Sequence, residues 1–154
     1  MNKVKSTGLI LAICATLSAS LQSADAPAIS GAAYVERKSG DSIILRDLEI
    51  DLCKPSVVPL WDSTHTNTRT YMQFLGAHIN FLQRLPDYIV TKTRTDIDGK
   101  FKFAAVSSGE YVIFAGFQTS GSTACWLMPI KVEPEKPIEI NLTSSNAKEI
   151  RNQR

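Results

Sequence analysis

Apolar and polar residues alternate with a period of two over several short stretches of this chain, and one stretch departs from it to a helical period. Leu48, Ile50 and Leu52 share one parity while Glu49 and Asp51 share the other. Lys100-Phe101-Lys102-Phe103 repeats the pattern, as does Ile138–Leu142, where Glu139 and Asn141 separate the apolar positions. Such alternation predicts strands with one buried face. Tyr111–Phe117 is nearly continuous in apolar residues, the mark of a strand inside a sandwich core. Ala124–Val132 places Trp126, Met128, Ile130 and Val132 on one parity, with Cys125 on the other. Ala28–Arg37, Ser42–Leu45 and Ile89–Arg94 complete a set of about seven short strands separated by turn residues, which predicts a β-sandwich.

Between Leu48–Leu52 and Ile89–Arg94, Lys54–Tyr88 reads differently. Pro55 and Pro59 bracket a stiff connector that leads to Trp61, and a polar run over Thr64–Thr70 holds several N-cap candidates, among them Thr66, Asn67 and Thr68. Tyr71, Phe74, Leu75, His78, Ile79, Leu82 and Leu85 then recur every three or four residues, opposite Gln73, Asn80, Gln83 and Arg84. That spacing predicts an amphipathic helix of about four turns, stopped by Pro86. Beyond it, Asp98-Gly99 predicts the two-residue turn of a hairpin, because such turns need positive φ. Ser144–Arg154 carries no apolar period and is expected to be a flexible tail, helical from Asn146 if anything.

The N-terminus has a different character. Lys3 and Lys5 precede an apolar run, Gly8–Leu17, and small residues follow at Ser18-Ala19-Ser20 and Ser23-Ala24. This is the layout of a secretory signal, with cleavage expected after Ser20 or Ala24, and it predicts a periplasmic or secreted protein with no stable membrane insertion. Ile13 stands where a lipobox needs a small residue before Cys14, so no lipid anchor is expected there. The organisation that results is a signal peptide over 1–24, a sandwich over 25–143 with its insertion at about 54–88, and a tail over 144–154. The full chain holds 17 basic and 15 acidic residues. Losing Lys3 and Lys5 makes the remainder formally neutral, which argues against nucleic acid as a partner.

Two cysteines remain after the leader, Cys53 and Cys125. In an oxidising compartment a single disulfide between them is the natural expectation, lying outside the apolar face of a sheet. Catalytic and metal chemistry find little support in the rest of the chain. Asp96-Ile97-Asp98-Gly99 resembles the start of a calcium loop, but Ser107 occupies the position of the bidentate Glu. His65 and His78 are the two histidines, and their separation lacks the close spacing of a metal pair. No GxSxG occurs. We therefore expect no cofactor, no metal and no enzymatic activity.

The order Thr93-x-Thr95-Asp96-x-Asp98-Gly99-x-Phe101-x-Phe103, continued by Val106, Gly109 and Tyr111, resembles the carboxypeptidase regulatory-like modules. These are transthyretin-like (prealbumin-like) β-sandwiches of bacterial secreted and envelope proteins. The resemblance implies a seven-stranded antiparallel sandwich, here with one helical insertion, and a non-enzymatic interaction or structural role. It brings no shared active site. A partner, most simply another envelope or secreted protein, is expected at the insertion, with Trp61, Tyr71, Phe74 and His78 as candidate contact residues. The alternative expectation is a carbohydrate-binding module in which an exposed Trp61 stacks on a sugar.

Overall fold

The computed structural model describes residues 28–36, 40–119 and 122–152. The expected leader with Cys14, and the centre of the loop at Gly121, lie outside the described residues. The strands are β1 (Ile29–Ala32), β2 (Tyr34–Glu36), β3 (Ser42–Ile44), β4 (Glu49–Cys53), β5 (Ile89–Arg94), β6 (Lys100–Phe103), β7 (Gly109–Gln118), β8 (Ser122–Val132), β9 (Ile138–Glu139) and β10 (Glu149–Asn152). Two helices, α1 (Val57–Thr64) and α2 (Tyr71–Arg84), lie between β4 and β5.

Five strands form the larger sheet in the order β10-β8-β7-β4-β5, and three form the smaller in the order β6-β1-β9. A short β2–β3 ribbon extends the small sheet beyond Ala33. The fold is the expected all-β sandwich, with more and shorter strands than the alternation suggested. Ile50 and Leu52 of β4, Ile113 and Ala115 of β7 and Trp126 of β8 face Ile29, Phe101 and Phe103 of the small sheet, and all are buried. Trp126 also donates its indole N–H to the Thr143 carbonyl at 2.8 Å, so its one polar atom is satisfied inside the core.

Several expectations are corrected. The Asp98-Gly99 turn forms, with Gly99 at φ 74°, and Asp96 Oδ1 accepts from the Asp98 and Lys100 N–H groups at 2.9 and 2.8 Å. The strands it joins do not pair, however. β5 pairs with β4 and β6 with β1, so the turn carries the chain from one sheet to the other. Phe101 and Phe103 explain this, because they enter the core from the side opposite β4 and β7. Not every pair is antiparallel either: β9 runs parallel to β1, with Ile29 opposite Ile138. This pairing needs Gly31, since a Cβ there would sit 1.6 Å from the Ile140 carbonyl oxygen.

The helical region holds two helices where one was expected. Val57-Val58-Pro59 opens α1 instead of remaining a connector, and Pro59 falls within the first turn, where a helix has no use for its N–H. α2 matches the predicted period, but its N-cap is Thr70 and not one of the residues before it. Thr70 Oγ1 accepts from the Gln73 N–H at 3.2 Å while Gln73 Oε1 accepts from the Thr70 N–H at 3.1 Å, a reciprocal capping box. Glu149–Asn152, within the expected tail, is a strand. β10 adds to the large sheet beside β8, and Ser122 Oγ donates to Asn152 Oδ1 at 2.6 Å. An edge strand needs backbone pairing more than an apolar period, so composition alone missed it.

A candidate ligand cleft under the second helix

The same parity that sends Ile50 and Leu52 into the sandwich sends Glu49, Asp51 and Cys53 to the opposite face of β4. That face is covered by α1 and α2, and a second core forms there from Val57, Leu60, Trp61, Phe74, Phe81, Phe114 and Leu127 together with both cysteines. The large sheet is thus buried on both sides, with an apolar sandwich core on one and a partly polar layer rich in aromatic rings on the other.

This arrangement overturns the expected disulfide. Cys53 and Cys125 are both buried and both free. Cys53 is paired with Val112 and Cys125 with Gly116, on opposite edges of β7. Two strand spacings and four residues of offset put them about 16 Å apart, where a disulfide needs Cα atoms within about 7 Å. Burial pushes each thiol up to about 12. Cys125 Sγ lies 3.9 Å from His78 Nε2, but burial holds that imidazole down at about 4. At neutral pH the pair is therefore a thiol beside a neutral ring, not an activated thiolate. Among the described residues, no three His, Cys, Asp or Glu side chains come together as a metal site.

The candidate contact residues are placed by the same layer. Trp61 is 3% exposed, Phe74 1% and His78 6%. Trp61 stacks on His65 at 3.8 Å between ring centroids and meets Phe81 edge-on at 5.1 Å. A Trp61 in this position has no face to offer a sugar, which corrects the expectation of an exposed stacking residue. Tyr71, at the start of α2, is half-buried, with its hydroxyl 3.5 Å from Thr123 Oγ1. The large apolar side chains that α2 exposes are Met72, Ile79 and Leu82, beside the polar Gln73, Asn80, Gln83 and Arg84.

The layer is incomplete over β4 and β5. Between the C-terminal half of α2 and the sheet lies a cleft of about 280 Å³, whose floor includes Asp51, Phe114 and Gly116 and whose rim includes Leu82, Lys92 and Gln118. Gly116, lacking a side chain, leaves the space beside His78 open; a Cβ there would make ordinary contact with His78 Nε2 at 3.8 Å. Asp51 is 4% exposed, yet its Oδ1 receives no hydrogen bond. Its nearest cation, Lys92 Nζ, lies 3.5 Å away and is engaged by Glu49 Oε1 at 2.6 Å. Burial raises the Asp51 carboxyl above the usual range, against the attraction of Lys92, while the Lys92 hydrogen bond lowers that of Glu49. Sequence reasoning put Asp51 on the outer face of β4 and no further. The available signal was that Cys53, a residue that favours burial, shares that face.

No protein-family model matches the chain, and no curated relative does. Among solved structures, the chain is similar to a candidate carbohydrate binding protein from Pseudomonas aeruginosa, at 19% identity and a TM-score of 0.53, over 79% of this chain and 90% of that one. It is also aligned with the minor pilin GBS52 of Streptococcus agalactiae, at 11% identity and a TM-score of 0.46, over 84% of this chain and 45% of that one. The major pilin subunit BcpA of Bacillus cereus aligns at 12% identity and a TM-score of 0.37, over 84% of this chain and 30% of the pilin. The chain thus spans less than half the length of these pilins. The likeness to the Pseudomonas protein carries the β-sandwich fold. Among the described residues, no helix is long and apolar enough to cross a membrane.

Proposed function

We propose that this chain is a non-enzymatic interaction module of the secreted or envelope fraction and that a protein partner docks on its helical layer. The transthyretin-like assignment belongs to the same reading, supported by the Thr93–Tyr111 motif, and the leader over 1–24 supplies the route of export. The observation that carries it is the outer face of α2. Met72 is 69% exposed, Ile79 50% and Leu82 43%, along a helix whose other face, Phe74, His78 and Phe81, is buried. A row of exposed large apolar side chains on a well-anchored helix has the character of a docking face. The protonated, inert thiols favour binding over chemistry at this layer.

Substituting Ile79→Lys together with Met72→Lys tests the reading. Both side chains face outward, so the melting temperature should hold, with a stability change of about 0.5 kcal/mol or less. Cross-linking in the native envelope should then lose the adducts that the unsubstituted protein gives. Unchanged adducts would remove the helix face as the interface.

The cleft favours a second reading, carbohydrate binding, which is also the class named for the similar Pseudomonas protein. In this reading the cleft takes the place that Trp61 was expected to fill.

A further inference from the structure

We propose that the partner seated on α2 is a second copy of this chain. The two copies pair their α2 helices antiparallel about a two-fold axis at Ala77, each setting its Met72 beside the other's Leu82 at the mouth of the cleft. The inference rests on the docking reading and deepens it by naming the partner. Met72, Leu75, Ile79 and Leu82 follow one another at intervals of three, four and three residues, the spacing of a helix–helix seam. Met72, Ile79 and Leu82 are exposed and Leu75 is half-buried. Those intervals read the same in both directions. Antiparallel pairing therefore brings Met72 opposite Leu82 and Leu75 opposite Ile79, twice over, which is the self-complementarity that a two-fold interface requires.

Shape and charge favour the same occupant. Met72 projects from the first turn of α2, and Leu82, near the other end, lines the cleft of about 280 Å³. A flexible thioether suits an irregular opening of this kind, so the knob of each copy meets the opening of the other. Between them Gly76 turns its open side outward, where a Cβ would meet nothing within 4 Å. Glycine is a poor helix former, but on a seam it lets a second backbone come close. Tyr71–Arg84 contains no acidic residue, and its one cation at neutral pH, Arg84, lies well round the helix from the seam. Like charges therefore do not face each other across the axis, and the opposed helix dipoles attract. Without the expected leader the chain is formally neutral, so two copies have no net charge to repel them. The seam runs only about 15 Å along the helix. That is little for a permanent dimer, which sets the expected affinity in the micromolar range.

The test is sedimentation equilibrium of the protein purified from its native host, over about 1–500 μM. The parent should pass from monomer to dimer across that range. Met72→Glu and Leu82→Lys, each alone, should weaken the dimer at least about tenfold, because each buries an unpaired charge at the seam. Both should melt as the parent does, since the two side chains are exposed in the single copy. Mixed in equal amounts, the two variants should recover the dimer, because antiparallel pairing sets the introduced carboxylate of one against the introduced ammonium of the other. Single variants that dimerise as strongly as the parent, or a mixture that does not recover, would overturn the proposal. A parent that stays monomeric, while Ile79→Lys with Met72→Lys still abolishes the envelope adducts, would overturn the second copy and leave the docking reading standing. A monomeric parent whose adducts survive that substitution would overturn both.

Discussion

The two faces of the five-stranded sheet are built from the same strands and buried to similar depth, yet they differ in kind. Toward the small sheet the contents are Ile29, Ile50, Leu52, Ile113 and Trp126, with the single indole N–H satisfied by Thr143. Toward the helices the sheet presents Asp51, two cysteines, Phe114 and the gap at Gly116, packed under a histidine and a tryptophan. The first face is what a sandwich needs in order to exist. The second has room and buried polar atoms without hydrogen bonds, among them Asp51 Oδ1 and His65 Nε2.

The largest expected effect breaks the first face. Trp126→Ala removes the largest fully buried side chain of the sandwich core and should lower stability by about 3–5 kcal/mol, read from chemical denaturation. Should it cost less than 2 kcal/mol, the apolar sandwich core is not the main support of the fold, and the contrast between the faces weakens.

Acid should act on the second face selectively. Unfolded, His78 takes up a proton near 6.5; folded, burial holds its pKa at about 4. Between those values the unfolded chain binds a proton that the folded chain refuses, so stability falls as the pH is lowered through this window, by at most about 3 kcal/mol. Burial of His65 acts in the same direction, whereas the raised carboxyl of Asp51 favours the folded state as acid is added. His78→Phe should flatten the decline between pH 6.5 and 4. A variant as acid-sensitive as the parent would show that the histidine is not the responsive group.

The smallest effect concerns how the helical layer is fastened. Thr70→Ala breaks the reciprocal cap with Gln73 and should cost about 1 kcal/mol. Amide exchange would sharpen the result: the first turn of α2 should lose protection while β7 keeps its own. Equal loss in both would mean that the helix and the sheet unfold as one unit.

Much of the sandwich was legible because one-sided burial leaves a period of two. β4, β6 and β8 emerge with the parity of their inward residues, β7 emerges as a continuous apolar run without a stated face, and α2 emerges from its period of three to four. What stayed hidden depends on contacts distant in sequence. Nothing local says that the strands flanking Asp98-Gly99 belong to different sheets, or that Glu149–Asn152 finds an edge to join. The candidate site was half visible. Parity put Asp51 and Cys53 on one face, away from the sandwich core, but it could not say which strand positions the helical segment would cover, and so it allowed a bridge between cysteines that the β7 register keeps apart. Of the two helices that bury that face, α2 is recognisable in the sequence and α1 is not, and neither shows its seat on the sheet.

The pairing of β1 with β9 also bears on how the molecule assembles. The Ala32 N–H donates to Asn141 Oδ1, 109 residues away, and Ile29 stands beside Ile138. The first strand must therefore stay without one of its neighbours until residues 138–142 are present. Long loops of this kind delay the reward for ordering the chain, which places folding in the slow range of small domains. A chain emerging stepwise, from a ribosome or through a membrane, can form the β7–β8 hairpin and α2 early. It cannot close its smaller sheet until the end, so it would remain threadable for most of its passage.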